Sequence, residues 1–116
     1  GGTQRPWVVG DYVYVITDNA QVLCVRRTDG RVRWIHQLAA YRDPEGRRGA
    51  IAWSGPVLVS DRLVAVSSEG YAVSISPYTG EFLGRIELPG RSHLPPIVAG
   101  ETLYFLTDGA ELTALR

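Results

Sequence analysis

The side chains in this sequence that could do covalent or acid–base chemistry are one cysteine and two histidines. Cys24 could act as a nucleophile, and His36 or His93 as a general acid or base. Each role needs an activating partner or an oriented substrate cleft, and the sequence contains no nucleophile motif, phosphate-binding glycine loop or metal-ligand spacing beside them. Cys24 lies in an apolar pattern typical of a buried strand residue. We therefore predict no catalytic residues, no cofactor and no metal, and a protein that is not an enzyme.

The elements that would position these side chains come from an internal repeat. Residues 6–38 align with residues 56–88 without a gap, so that proline, aspartate, glycine and leucine recur in phase. Residues 96–116 align with residues 6–26, and eight of the 21 positions are identical. A unit repeated at this spacing buries its apolar surface by stacking on its neighbours.

Each copy reads as short apolar and β-branched runs separated by turn residues. Two-residue polar links, such as Gly10-Asp11, predict hairpins, and Thr-Asp-Gly or Tyr-Thr-Gly closes the turn before the fourth run. The expected strands are 6–9, 12–17, 22–25 and 32–38 in the first copy, 56–59, 62–67, 72–75 and 82–88 in the second, and 96–99, 102–107 and 112–115 in the third.

Four short antiparallel strands per unit of 40–50 residues are typical of a β-propeller blade. We predict an all-β fold: a partial β-propeller over residues 1–116, with about two and a half four-stranded antiparallel blades. Blade 1 is 6–38, an inserted loop is 39–53, blade 2 is 56–88 and a partial blade 3 is 96–116. Because a closed ring needs at least four blades, we expect the chain to be the C-terminal part of a longer propeller, with open flanks able to self-associate.

The acidic residues recur at matching positions of the repeat. Asp11, Asp61 and Glu101 align, and Asp18 aligns with Asp108. This phasing favours a common turn-forming role over a unique site.

Composition excludes several classes of partner. The 12 basic and 12 acidic side chains cancel, so we expect no nucleic acid to bind. No apolar run approaches the length of a membrane span.

The inserted segment 39–53 breaks the spacing of the repeat and is the candidate binding site. Insertions in repeat proteins map to loops on one face, which is often the binding face. Arginine, tyrosine and tryptophan are enriched at protein interfaces, although a solvated loop is the alternative interpretation. The predicted partner-binding residues are Tyr41, Arg42, Arg47, Arg48 and Trp53.

Residues 7–15, 23–34 and 68–80 resemble the quinoprotein-like repeat, in which a tryptophan follows the turn glycine by four positions. Trp34 matches this tryptophan, whereas Gly84 departs from it, so we do not expect the same docking contact between blades from the second copy. Within this superfamily the run 54–59 followed by 68–71, and the ending 112–116, are similar to the BamB-like lipoproteins of the bacterial outer-membrane assembly machinery.

The resemblance implies an eight-bladed, lipid-anchored periplasmic scaffold at the outer membrane that assists insertion of outer-membrane proteins. It implies protein partners, either a barrel-assembly subunit or β-rich clients, and no small-molecule substrate. The alternative is a piece of a quinone (PQQ)-dependent dehydrogenase or another protein with this repeat. Such enzymes also carry a vicinal cysteine pair and calcium-binding carboxylates.

Overall fold

The computed structural model describes residues 5–115, and these form three antiparallel sheets and one separate hairpin. The described part of the chain contains strands and turns but no helix. The expected all-β fold of stacked four-stranded blades is confirmed. Within residues 5–115 no helix has the length and apolar character to cross a membrane.

Each sheet runs in chain order from its first strand outwards. Blade 1 contains β1 (Trp7–Val9), β2 (Tyr12–Ile16), β3 (Gln21–Arg26) and β4 (Val32–Gln37). The hairpin contains β5 (Tyr41–Asp43) and β6 (Arg48–Ala50). Blade 2 contains β7 (Trp53–Val59), β8 (Arg62–Ser67), β9 (Tyr71–Ile75) and β10 (Phe82–Glu87). Blade 3 contains β11 (Ile97–Ala99), β12 (Thr102–Leu106) and β13 (Leu112–Leu115).

The turn before the fourth strand is built the same way in both complete blades. A side-chain oxygen of the middle turn residue accepts a backbone N–H two residues on: Asp29 from Arg31 at 3.0 Å, and Thr79 from Glu81 at 3.2 Å. The glycine that follows, Gly30 or Gly80, has a positive φ. These contacts are the turn chemistry that the sequence predicts.

The core lies between the blades, not within one of them. One apolar cluster joins blade 1 to blade 2 and includes Tyr14, Cys24, Leu63 and Ile75. A second joins blade 2 to blade 3 around Phe105 and neighbouring valines. Blade 2 is therefore covered on both faces, and almost every residue of its two central strands is buried. Blade 1, covered on one face, shows buried residues at every second position.

The antiparallel order divides the turns between two faces. The β1–β2, β3–β4, β7–β8 and β9–β10 turns share one face, and the β2–β3 and β8–β9 turns lie at the other ends of the strands. The segment between β4 and β7 lies on this second face, which we call the hairpin face.

The structure differs from the sequence-based expectation in the segment 39–53. This segment was expected to be a loop, but its middle folds into the β5–β6 hairpin, and its last residue belongs to β7. Trp53 pairs with Ser67 and Ser54 with Val66, and a bulge before Val57 lets the strand continue into the predicted run. The first strand of blade 2 therefore starts three residues earlier than predicted.

Candidate protein-interaction site

The β5–β6 hairpin projects from the hairpin face as an exposed, charged tip. Residues 42–48 are all exposed, and the turn closes where the Asp43 carboxylate accepts the Gly46 N–H at 3.2 Å. Arg47 has a φ of 51° and Gly49 a φ of 68°, so the backbone reverses within a few residues. Arg47 and Arg48 are exposed side by side at this tip.

The base of the hairpin is held by an ion pair to blade 2 and by a hydrogen bond within the inserted segment. The Arg42 guanidinium lies over Gly49, where a β-carbon would fall 2.5 Å from Arg42 Nε, and pairs with Glu69 at 3.4 Å. The Ile51 N–H donates to the Ala40 carbonyl at 2.9 Å and continues the hairpin toward the blade. Arg47 and Arg48 therefore lie at the tip of a hairpin whose base is held in place.

Trp53 lies apart from the other predicted partner-binding residues. Its side chain is only 4% exposed, and its indole N–H donates to the Ala39 carbonyl at 2.7 Å. The indole and the Tyr71 ring are nearly perpendicular, with 5.7 Å between their centroids, and the Arg85 guanidinium lies over the Tyr71 ring at 3.9 Å from its centre. Trp53 is thus placed to hold the start and end of the insertion together, while Tyr41, Arg42, Arg47 and Arg48 lie on the hairpin.

The blades dock through a contact that depends on Trp34. Its indole N–H donates to the Pro77 carbonyl at 3.0 Å, and the Tyr14 hydroxyl donates to the same carbonyl at 3.3 Å. His36 Nδ1 donates to the Gly80 carbonyl at 2.8 Å. The β9–β10 turn of blade 2 is therefore held by three side chains of blade 1. A β-carbon at Gly84, the position in blade 2 that matches Trp34, would have no atom within 4 Å.

The side chains that could do chemistry are held in structural contacts. His36 belongs to the docking contact, and His93 Nδ1 pairs with the Asp108 carboxylate at 2.8 Å on the surface. Burial raises the pKa of the Cys24 thiol, which keeps it protonated at neutral pH. Among residues 5–115, no group of three or more His, Cys, Asp or Glu side chains could hold a metal ion.

Two sets of residues were missed by sequence reasoning. The first is the turn 77–80, whose carbonyls accept the docking bonds. The second is a cleft between the blades lined by Tyr12, Arg33, Asp61 and Tyr78. The role of each set depends on contacts between the two blades, so no local sequence pattern marks it.

Comparisons with known proteins agree with this geometry. The family model for outer membrane protein assembly factor BamB matches residues 1–36. An outer membrane protein assembly factor BamB from Alkalilimnicola ehrlichii is 29% identical over 106 residues, covering 90% of this chain and 25% of that protein. The protein of the same name from Legionella pneumophila is 37% identical over 100 residues, covering 85% of this chain and 24% of its own length. The chain thus spans about a quarter of the length of the curated relatives it matches.

Solved structures give the same fold. The crystal structure of BamB from Moraxella catarrhalis superposes with a TM-score of 0.76 at 14% identity, covering 95% of this chain and 31% of that one. The WD40 domain of SCAP from fission yeast superposes with a TM-score of 0.53 at 17% identity, covering 90% of this chain and 28% of that one. At these identities the superpositions support the fold alone, and the sequence relatives supply the family resemblance. The chain is thus similar in sequence to about a quarter of the length of the BamB assembly factors and has the fold of a β-propeller segment.

Proposed function

We propose that this protein is a non-catalytic scaffold that assists insertion of outer-membrane proteins, and that its β5–β6 hairpin contacts a protein partner. The similarity to assembly factors along most of the chain supports the role. We place the protein in the periplasm, associated with the outer membrane through a lipid anchor of the parent chain. Its partners are a barrel-assembly subunit or β-rich client proteins.

The observation that carries the hairpin proposal is the combination of an exposed tip with an anchored base. Residues 42–48 are exposed, yet Arg42 pairs with Glu69 of blade 2 and Trp53 holds Ala39. A preorganised loop loses little conformational entropy on binding. Arginine is enriched at interfaces because its planar guanidinium makes several hydrogen bonds to carboxylates and carbonyls. Arg47 and Arg48 therefore suit an acidic or carbonyl-rich patch on a partner.

The test compares two double variants with equal loss of charge. Arg47→Ala/Arg48→Ala removes both arginines at the tip, whereas Arg31→Ala/Arg62→Ala removes two exposed arginines from the opposite face. We expect the first pair to weaken affinity for the purified barrel-assembly complex by about tenfold or more and the second to leave it unchanged. Unchanged affinity in the first pair removes the hairpin from the interface.

Self-association through the open flanks stays a prediction. The outer side of blade 3 exposes Leu106 and Leu112, which pair across β12 and β13, and Leu112 is 65% exposed. Contiguous exposed apolar side chains favour association. Light scattering over a range of protein concentrations measures the mass directly, and a monomer at every concentration contradicts the prediction.

A further inference from the structure

A cleft of about 360 Å³ opens between blades 1 and 2 on the face opposite the hairpin. Its floor is apolar or neutral, since Val9, Leu58 and Pro77 line it together with the thiol of Cys24. Cys24 is 2% exposed and Tyr14 5% exposed, so both lie beneath the opening. Its volume falls in the range typical of ligand pockets.

Each blade contributes one matched pair of polar side chains to the walls. In blade 1 the Arg33 guanidinium donates to the Tyr12 hydroxyl at 3.3 Å and lies 5.6 Å from the centre of that ring. In blade 2 the Tyr78 hydroxyl donates to the Asp61 carboxylate at 3.2 Å. The cleft therefore has a positive wall, a negative wall and an aromatic ring on each.

Arg33 and Asp61 can each form further hydrogen bonds or an ion pair. Within residues 5–115, Arg33 has the neutral Tyr12 hydroxyl as its hydrogen-bond partner and no ion pair, and Asp61 likewise accepts from a neutral hydroxyl. Arg33 retains guanidinium N–H groups that can donate to a carboxylate, and Asp61 retains lone pairs that can accept a backbone N–H. A ligand carboxylate would be drawn to the wall of Arg33 and repelled from the wall of Asp61.

We propose that this cleft binds an extended polypeptide segment in which an acidic residue lies beside an aromatic one. The aromatic ring enters the cleft between Tyr12 and Tyr78 and covers the apolar floor. The neighbouring carboxylate pairs with Arg33, and a backbone N–H of the segment donates to Asp61. The site lies on the opposite face from the hairpin, so the protein would hold two polypeptides without competition between them.

The probes are short blocked peptides added to the protein labelled for NMR. We expect acetyl-Asp-Phe-amide to shift the amide signals of residues lining the cleft, with weak affinity in the millimolar range. Acetyl-Asn-Phe-amide and acetyl-Asp-Ala-amide, which each lack one recognised group, should bind at least about threefold more weakly. The single cysteine gives an independent reading, because an occupied cleft should slow alkylation of Cys24.

The matched variants are Arg33→Glu and Arg31→Glu, two exposed arginines on the same face. Arg33→Glu should invert the preference, so that acetyl-Lys-Phe-amide binds more tightly than acetyl-Asp-Phe-amide, while Arg31→Glu keeps the original order. Val9→Trp, which fills the cleft, should abolish binding with the amide spectrum otherwise preserved. Peptide-induced shifts outside the cleft, or an unchanged order of peptides in Arg33→Glu, overturn the proposal. The result for the hairpin variant Arg47→Ala/Arg48→Ala does not test the proposal that the cleft binds a peptide.

Discussion

The indole of Trp34 lies against Gly80 so closely that a β-carbon at position 80 would fall 2.5 Å from Trp34 Cε3. The Trp34 ring of blade 1 thus occupies the space that a side chain at position 80 of blade 2 would need. The same turn glycine in blade 1, Gly30, has a similar φ, but a β-carbon there would have no atom within 4 Å. Two equivalent glycines therefore differ in one respect, the contact between blades.

This difference gives a matched pair of variants. Gly30→Ala puts an alanine in the left-handed backbone conformation without causing a clash. We therefore expect it to lower the free energy of unfolding by about 1–2 kcal/mol. Gly80→Ala adds a clash with Trp34 and should cost about 1–3 kcal/mol more. Denaturant unfolding measures both values. Equal losses would mean that the docking contact is not formed.

The Pro77 carbonyl accepts hydrogen bonds from both Tyr14 and Trp34. Tyr14→Phe or Trp34→Phe alone leaves this buried carbonyl one donor, so each hydrogen-bond loss should cost about 1 kcal/mol. The double variant leaves the carbonyl without either donor, and the penalty of an unpaired buried group adds to the loss. We expect the double variant to be destabilised by more than the sum of the single losses. Strict additivity in the double-mutant cycle would show that the two donors are independent.

Stability should fall at alkaline pH through Tyr14. Burial, followed by the neighbouring Cys24, raises the pKa of Tyr14 from 10.0 to about 12. The folded state therefore holds this proton more tightly than the unfolded state. The corresponding stability is complete below pH 10 and is lost as the pH rises toward 12. The chain has no lysine, so no ammonium titration overlaps this interval.

The measurement is the free energy of unfolding at several pH values from about 9 to 12, for the wild type and Tyr14→Phe. The wild type should lose stability more steeply than the variant. Tyr71, whose pKa is also raised mainly by burial, contributes a remaining slope to both proteins. Parallel curves would contradict a buried neutral Tyr14.

Trp53 should position the hairpin more strongly than Arg42 does. Trp53→Phe keeps an aromatic ring in the core but removes the hydrogen bond to Ala39, so we expect a loss of about 1 kcal/mol. Arg42→Ala breaks a pair whose arginine is 59% exposed, and should cost well under 1 kcal/mol. Hydrogen exchange of residues 41–50 should accelerate in Trp53→Phe and change little in Arg42→Ala. Faster exchange in Arg42→Ala than in Trp53→Phe would show that the pair with Glu69, and not Trp53, holds the hairpin in place.

Sequence patterns were sufficient for the features that depend on local chemistry. Asp29-Gly30 and Thr79-Gly80 mark turns because their side chains and backbone conformations act within a few residues. The repeat fixed the order of the strands because each copy must stack on the next. The β5–β6 hairpin also has a local signal, Asp43 three residues before Gly46, whose hydrogen bond closes its turn.

Other features could not be read from local patterns. Trp53 looks like an interface residue by type, but its burial depends on Tyr71, which belongs to another strand. The cleft requires Arg33 and Asp61 from different blades to face one opening. Such placements follow from how the blades stack, and no spacing along the chain encodes them.

The most direct test of the proposed role is photocrosslinking in living cells from position 47, at the tip of the hairpin. A photoreactive residue at position 31, exposed on the opposite face, is the control. We predict that position 47 crosslinks to a subunit of the outer-membrane barrel-assembly machinery, identified by mass spectrometry, and that position 31 does not. Absence of that subunit from the products at position 47, or equal crosslinking from both positions, would contradict the account.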